Sequence, residues 1–177
     1  SVVGVTALRQ ISAGYDYTCA VDNDGAGWCW GTFGGMATDQ SKRQAVLTPA
    51  RAFDGYVLES IQASRTEVCG NVRSTGIVCW GVQSLRASGS YQVFRAYQES
   101  TVPLVVFSGD ISSYASSSDR KCAIFRTGIM QCTDTAIGSQ RSASGWKQIA
   151  ISEPYIGRNQ NTSVIPHGFA CGIRTDD

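Results

Sequence analysis

Cysteine spacing constrains this chain more than any other feature of its sequence. Six of the seven cysteines form pairs whose members stand ten positions apart, and the first members recur, together with the seventh cysteine, at steps of 50, 53 and 49. A period near 50 residues is typical of proteins built from stacked or radial repeats. The sequence therefore predicts a series of similar supersecondary units. In chain order the cysteines are Cys19 and Cys29, Cys69 and Cys79, Cys122 and Cys132, and finally Cys171.

The paired cysteines favour disulfide bonds over a zinc site. Structural zinc usually takes closely spaced cysteines, often with histidine, whereas here the spacing is wide and His167 is the only histidine. We therefore predict disulfides, with reduced structural thiols as the alternative, and neither a metal site nor a cofactor. A disulfide framework implies an oxidising compartment, so the predicted location is secreted, extracellular or at the cell surface. The predicted bonds are Cys19–Cys29, Cys69–Cys79 and Cys122–Cys132.

Each cysteine pair also fits a β-hairpin. Pairing Cys19 with Cys29 leaves Asn23-Asp24-Gly25 as a loop with glycine at its last position, where a type I turn plus bulge needs a left-handed residue. The third unit repeats this pattern with Arg126-Thr127-Gly128, whereas in the second unit Gly76 comes one position later, so that turn is expected to differ. Cysteines directly opposite on neighbouring strands are close enough to bridge.

The units resemble one another beyond their cysteines. Unit one runs ISAGYDYTCAV from Ile11 and reaches Trp-Cys-Trp-Gly at 28–31. Unit two runs IQASRTEVCG from Ile61 and reaches Val-Cys-Trp-Gly at 78–81. A polar loop and a proline segment follow each Cys-Trp-Gly triplet. Unit three begins at Ile111 and unit four at Trp146.

This pattern resembles the regulator of chromosome condensation repeat, whose units run roughly Ile-Ser-Ala-Gly-x-x-His-Thr-Cys-Ala-Leu, then Asp-Gly, Trp-Gly, a polar loop and Thr-Pro. The cysteine-paired form is similar to extracellular members of that family, such as the ectodomains of crinkly-type plant receptor kinases. Two positions depart from the pattern, since Thr133 replaces the tryptophan and Tyr17 stands where histidine is common. The resemblance implies a β-propeller of about seven blades, each a four-stranded antiparallel sheet.

We accordingly predict an all-β fold of propeller-type blades in a single domain, 1–177, with about three and a half repeats. The ring is expected to be incomplete or to be completed by another chain. Small residues at Ala13-Gly14, Ala63-Ser64 and Ser112-Ser113 should let blades approach closely, and Trp30 and Trp80 should fill the space between blades. The predicted units are 7–54, 55–106, 107–145 and a truncated 146–177.

Cys171 lacks the second cysteine that the repeat predicts. Three explanations remain open: the chain is a fragment of a longer propeller, another chain supplies the missing strand, or Cys171 is a free, buried thiol. An odd cysteine in a secreted protein indicates an intermolecular bridge or missing sequence. The apolar segment Ser1–Thr6 resembles the missing strand, so one subunit could complete the last blade of the next.

Composition and motifs exclude several function classes. The formal charge is +1, which argues against a nucleic-acid footprint, and no apolar run is long enough to span a membrane. Nucleophile elbows, P-loops and dinucleotide fingerprints are absent. The glycines at 31–35 fit a flexible loop better than a phosphate site, and Asp22–Gly25 fits a turn better than a calcium loop. We predict no catalytic residue and no enzyme activity.

Two further features concern the surface. Asn161-Thr162-Ser163 is an N-glycosylation sequon in a polar stretch, so Asn161 is a candidate glycan site, with an ordinary loop as the alternative. Aromatic residues in predicted loops are candidates for a binding rim, with packing beneath their own loops as the favoured alternative. The rim candidates are Phe33, Tyr91, Phe94 and Tyr97.

The sequence thus predicts a non-enzymatic, secreted or cell-surface protein that acts in assembly or as a structural component. Its predicted partner is protein, either a second copy or another chain, without nucleic acid or membrane insertion. The alternative is a ligand- or protein-binding propeller module, such as part of a receptor ectodomain. Nuclear members of the resembled family act on a small GTPase and bind chromatin, and we do not transfer those activities to this chain.

Overall fold

A computed structural model describes residues 4–5, 7–32, 46–65, 67–85, 96–117, 120–133, 144–152 and 170–174. Every regular element in these ranges is a β-strand, and the strands form four antiparallel sheets in which neighbours are consecutive along the chain. No helix long and apolar enough to cross a membrane occurs among these residues. We call the sheets blades 1 to 4 in chain order.

The bounds of the strands follow the repeat. Blade 1 contains β1 (Leu8–Ala13), β2 (Tyr17–Asp22), β3 (Gly27–Gly31) and β4 (Val46–Ala52). Blade 2 contains β5 (Leu58–Ala63), β6 (Glu67–Val72), β7 (Gly76–Leu85) and β8 (Ala96–Ser108). The described strands of blade 3 are β9 (Ile111–Ser116), β10 (Lys121–Phe125) and β11 (Met130–Cys132), and those of blade 4 are β12 (Trp146–Ile151) and β13 (Ala170–Arg174).

The predicted turn chemistry is confirmed. Gly25 and Gly128 end their three-residue loops with φ of 82° and 81°, because a side chain in that left-handed conformation would be strained. The β6–β7 turn differs as expected, since Ser74 adopts φ of 65° and Gly76 already pairs with Val72. The hairpins therefore place the two cysteines of each pair directly opposite each other.

Proline shapes the fourth strand of blades 1 and 2. The register of β4 shifts between the pair Cys29–Ala50 and the pair Gly31–Val46, and Pro49 lies in this irregular stretch. Blade 2 repeats this irregularity in β8 around Pro103. Proline has no backbone N–H to donate to a ladder, so it occurs at bulges and on edge strands. The Thr-Pro segment of the repeat thus interrupts pairing on the last strand.

Three hydrophobic clusters lie between successive blades. The first joins one face of blade 1 to blade 2, the second joins the other face of blade 2 to blade 3, and the third joins blade 3 to blade 4. The first strands of successive blades contact one another, β1 with β5, β5 with β9 and β9 with β12. The described blades therefore stack face to face with their first strands innermost, in an arc that is not closed.

The register corrects one detail of the sequence alignment. In blade 2, Ile61 lies opposite Gly70. The residue of blade 3 equivalent to Gly70 is Ala123, and it lies opposite Tyr114 rather than Ile111. Ile111 instead forms the terminal pair of the β9–β10 ladder, and Leu58 forms the corresponding terminal pair in blade 2. The expectation that Ser112-Ser113 matches Ala63-Ser64 is therefore wrong. Ser117 takes the place of Ser64, since each donates its backbone N–H three residues onward, Ser117 to Arg120 and Ser64 to Glu67.

Candidate protein-binding surfaces

The disulfides mark which face of each blade meets the next blade. In each bonded pair the Cα atoms are 4.0 to 4.1 Å apart. Cys19 and Cys29 belong to the cluster shared with blade 2, and Cys69 and Cys79 to the cluster shared with blade 3. Cys122 packs likewise against Ile149 of blade 4. The repeat thus presents its disulfide toward the following blade.

Glutamine side chains join the innermost strands of neighbouring blades. The amide of Gln10 donates to the carbonyl of Ile61 at 3.0 Å and accepts from its N–H at 2.9 Å. Gln62 makes the corresponding pair of bonds to Tyr114 O and Ser116 N, at 2.9 and 3.1 Å. Each glutamine therefore bonds one backbone carbonyl and one backbone N–H on the first strand of the next blade. Without it these groups would lack a partner within the interface.

Tyrosine hydroxyls add a second connection at the same interfaces. Tyr17 Oη contacts the carbonyl oxygens of Ser64 and Glu67 at 2.9 and 2.5 Å. Tyr114 Oη donates to the carbonyl of Cys69 at 2.8 Å, and burial raises the pKa of this phenol. A Cβ atom at Gly14 would lie 2.6 Å from Ser64 O. The predicted close approach of small residues is confirmed there.

Trp80 fills the space between blades as predicted. Its ring packs edge-on against Phe53 of blade 1, with centroids 6.2 Å apart. Trp30 occupies the equivalent position in blade 1, on the side opposite its disulfide. That side has no preceding blade among the described residues.

This unpaired side of blade 1, which we call the first end face, exposes positions that are buried elsewhere. Ile11 is 59% exposed, whereas Ile61, Tyr114 and Ile149 at the same position are 0%, 6% and 7% exposed. Ile11 lies opposite Ala20, Ala20 opposite Trp28 and Trp28 opposite Arg51, so these four residues form a row across the blade. The first end face therefore has the strand positions of an interblade interface; no preceding blade occurs among the described residues, and in this row Ile11 is exposed whereas Ala20 is fully buried.

Polar groups partly cover the outer half of the first end face. The Arg51 guanidinium lies 4.9 Å above the ring of Trp28, and Trp28 Nε1 donates to Asp22 Oδ2 at 2.8 Å. Partial burial of Asp22 works against its ionisation, but hydrogen bonds from Trp28, Ala26 and Asp24 and the charge of Arg51 outweigh it and hold its pKa below the usual value. The face thus combines an apolar inner row with a charged outer rim.

Blade 4 presents the opposite end, which we call the second end face. Cys171 is exposed and is the one free cysteine. Ile173 is 58% exposed, whereas Val21 and Ile124, which also stand two residues after the first cysteine of their units, are fully buried. In blades 1 to 3 this side is covered by the following blade. The described part of the chain therefore exposes, at both ends, apolar residues at positions that are mostly buried between blades.

A small pocket of about 150 Å³ lies beside the β2–β3 turn of blade 1. It lies between the β2–β3 turn and the β4–β5 connection, with Asp24, Arg51 and Tyr56 among its lining residues. No group of three or more metal-ligating side chains occurs within the described ranges. With this small volume the pocket is a weaker candidate for protein recognition than the end faces.

Several predicted site residues lie outside the described residues. These are Phe33, Tyr91 and Phe94 of the rim and the sequon residue Asn161. Tyr97 lies in β8 with its backbone opposite Ser84, but its side chain is also outside the description. The rim and the glycan therefore stay predictions. Gln10 and Gln62 could not be identified from the sequence, because a glutamine that bonds to the next blade and one that faces solvent look the same within a single strand.

Comparisons with known proteins agree with this architecture. Neither a protein-family model nor a curated protein matches the sequence. Human WBSCR16 matches 73% of this chain and 33% of its own, with 15% identity and a TM-score of 0.56. Saccharomyces cerevisiae Prp20p, described with its binding properties to Gsp1p and histones, matches 83% and 42%, with 16% identity and a TM-score of 0.60.

A plant receptor gives a similar result. The entire ectodomain of the Physcomitrella patens receptor kinase CR4 matches 95% of this chain and 40% of its own, with 17% identity and a TM-score of 0.51. The chain thus spans between a third and about two fifths of the length of these structures. At such identities the likeness establishes the fold and not the activity. The chain has the all-β fold of the RCC1-like β-propellers.

Proposed function

We propose that this chain is a non-enzymatic, extracellular propeller module that binds protein through its two end faces. One observation carries the proposal: Ile11 and Ile173 are exposed, although every equivalent of Ile11 and most equivalents of Ile173 are buried apolar residues between blades. Apolar side chains exposed in positions built for packing are typical of protein interaction sites.

The repeat itself defines the partner. The second end face has the position and composition that blades 1 to 3 present to their following blade, and the first end face has those that blades 2 to 4 present to their preceding one. The surface that fits each end face is therefore another blade of this type. A second copy supplies both, in a head-to-tail contact that either closes a ring or extends into a filament.

The extracellular assignment rests on the disulfides and one neighbour. Three disulfides persist only where the environment is oxidising. The CR4 match is a receptor ectodomain, although WBSCR16 and Prp20p are not described as such. We include Asn161 as a glycan site because a sequon in a secreted protein is a potential acceptor. The binding of a receptor ligand is the second candidate function, supported by the same CR4 match.

Association in solution tests the proposal. Sedimentation velocity over the micromolar range should show concentration-dependent oligomers, and Ile11→Asp or Ile173→Asp should abolish them because a buried carboxylate without a partner is unfavourable. Leu47→Asp is the matched control, since Leu47 is 87% exposed on β4 and is not part of either inner row. A wild-type chain that stays monomeric, or an Ile11→Asp chain that assembles normally, contradicts the proposal.

Strand exchange is a finer version of the same assembly. In it, residues 1–7 of one copy pair with β13 of the next, and because this segment has Gly4 or Val5 in place of the repeat's cysteine, Cys171 stays unbonded in that pairing. Val5 is buried in its own chain, and Asn23 donates to the carbonyl of Ala7 at 3.0 Å, so donation requires this segment to detach. Deletion of residues 1–7 should then abolish assembly, whereas face-to-face packing alone predicts that oligomers survive the deletion.

A further inference from the structure

The three disulfides are equivalent in register but not in solvent access. Both sulfurs of Cys19–Cys29 and of Cys69–Cys79 belong to fully buried residues. In the third bond Cys122 is only 1% exposed, whereas Cys132 is exposed. One sulfur of one disulfide can therefore be approached from solvent in the folded protein.

Blade packing causes this difference. The first two disulfides lie inside the clusters that blades 2 and 3 cover. The described strands of blade 4 contact β9 and β10, where Ile149 covers Cys122. Cys132 lies one strand farther out, on β11, and belongs to none of the three clusters. Among the described residues, the packing that buries the first two disulfides has no counterpart over Cys132.

We propose that Cys122–Cys132 is a thiol-exchange site that reacts with small thiols of the glutathione class. Exchange needs a thiolate that reaches one sulfur of the disulfide. The incoming thiolate attacks Cys132 Sγ, the Cys122–Cys132 bond breaks, and the electron pair leaves on Cys122 Sγ, which takes a proton from water. The product is a mixed disulfide at Cys132. A second thiol attacks the sulfur of the bound small thiol, which releases reduced Cys132 and the oxidised small-molecule disulfide.

The local structure gives this exchange a consequence. β11 is three residues long and pairs with β10 through Cys132, Gln131 and Met130, with backbone hydrogen bonds from Thr133 N–H to Lys121 O and from Phe125 N–H to Ile129 O on either side. Cys122 packs in the cluster that joins blade 3 to blade 4, together with Ile124 and Ile149. Opening the bond removes the covalent tie between β10 and β11 beside that cluster. Exchange should therefore loosen blade 4 and leave the interface of blades 1 and 2 intact.

Differential alkylation tests the site. A folded Cys171→Ser chain, which removes the free thiol, is incubated with reduced glutathione, quenched with iodoacetamide and mapped by peptide mass spectrometry. We expect the glutathione adduct on Cys132 and carbamidomethyl on Cys122, formed more than about tenfold faster than label on the other four cysteines, because reaching those requires larger opening. In guanidinium chloride, where burial is lost, the three bonds should react at similar rates.

Two results would overturn the inference. One is equal labelling of all three disulfides in the folded protein, which means that reduction follows global unfolding. The other is an adduct on Cys19, Cys29, Cys69 or Cys79 before Cys132. If Cys171→Ser does not fold, the wild-type chain with Cys171 blocked by N-ethylmaleimide gives the same readout. The inference does not depend on the proposed assembly, since a monomer is sufficient for the experiment.

Discussion

The Nζ atom of Lys121 lies 2.6 Å from Oε1 of Glu67, and this ion pair is buried between blades 2 and 3. The side chains are 7% and 0% exposed. Glu67 begins β6 and Lys121 begins β10, so the contact joins neighbouring blades and not strands of one sheet. Since a buried charge is tolerated only with a partner, this contact stabilises both residues.

Removing one member of this pair should be strongly destabilising. Lys121→Met removes this counter-charge from the buried Glu67 carboxylate, and we expect a loss of about 3–5 kcal/mol in the free energy of unfolding. Urea unfolding at neutral pH, monitored by tryptophan fluorescence, measures this loss. The double variant Glu67→Leu/Lys121→Met should recover most of it, because apolar pairs replace buried ion pairs well. A single variant as stable as wild type contradicts a buried, paired Lys121.

The hydroxyl of Tyr17 should stabilise the interface of blades 1 and 2. Tyr17→Phe removes the donor that serves the carbonyls of Ser64 and Glu67 and should cost about 1–2 kcal/mol. Tyr15→Phe is the control, since Tyr15 is 77% exposed two residues away. Equal effects of the two substitutions in urea unfolding would show that the Tyr17 contact does not contribute.

Asp22 should make stability depend on acid pH. Its pKa is lowered in the folded state, so its ionised form stabilises the fold above the unfolded pKa, and this contribution is lost as the pH falls below about 4. Asp22→Asn should lower stability at pH 7 and flatten the loss between pH 5 and pH 2. Thermal melts of both proteins over this range give the comparison. Parallel pH curves for variant and wild type would contradict the assignment.

Gly14 should tolerate no side chain. A Cβ atom there would lie 2.3 Å from the Tyr17 ring and 2.6 Å from Ser64 O, which is backbone and cannot turn away. Gly14→Ala should therefore force blades 1 and 2 apart and cost about 1–3 kcal/mol. Ala13→Ser, at an exposed neighbour, should have little effect in the same unfolding assay. Wild-type stability for Gly14→Ala would show that the blades are not in close contact there.

Local sequence patterns predicted the units of this fold well. The ten-residue cysteine spacing, with a glycine that ends the loop in blades 1 and 3, predicts a hairpin in which the two cysteines lie opposite each other. Both features are properties of a few consecutive residues. The Thr-Pro segments likewise predict where ladder pairing is interrupted, since the missing N–H of proline acts wherever the chain lies.

Relations between blades could not be predicted in the same way. Ile11, Ile61 and Ile149 look alike in sequence, yet only Ile11 is exposed, because burial depends on whether a neighbouring blade covers that face. The same holds for Cys132 beside the buried Cys29 and Cys79. The sequence by itself determined the repeat, its hairpins and its disulfide partners, all of which are local. Only the tertiary structure decided which faces are covered and which charges meet, because these contacts join residues that are about fifty positions apart.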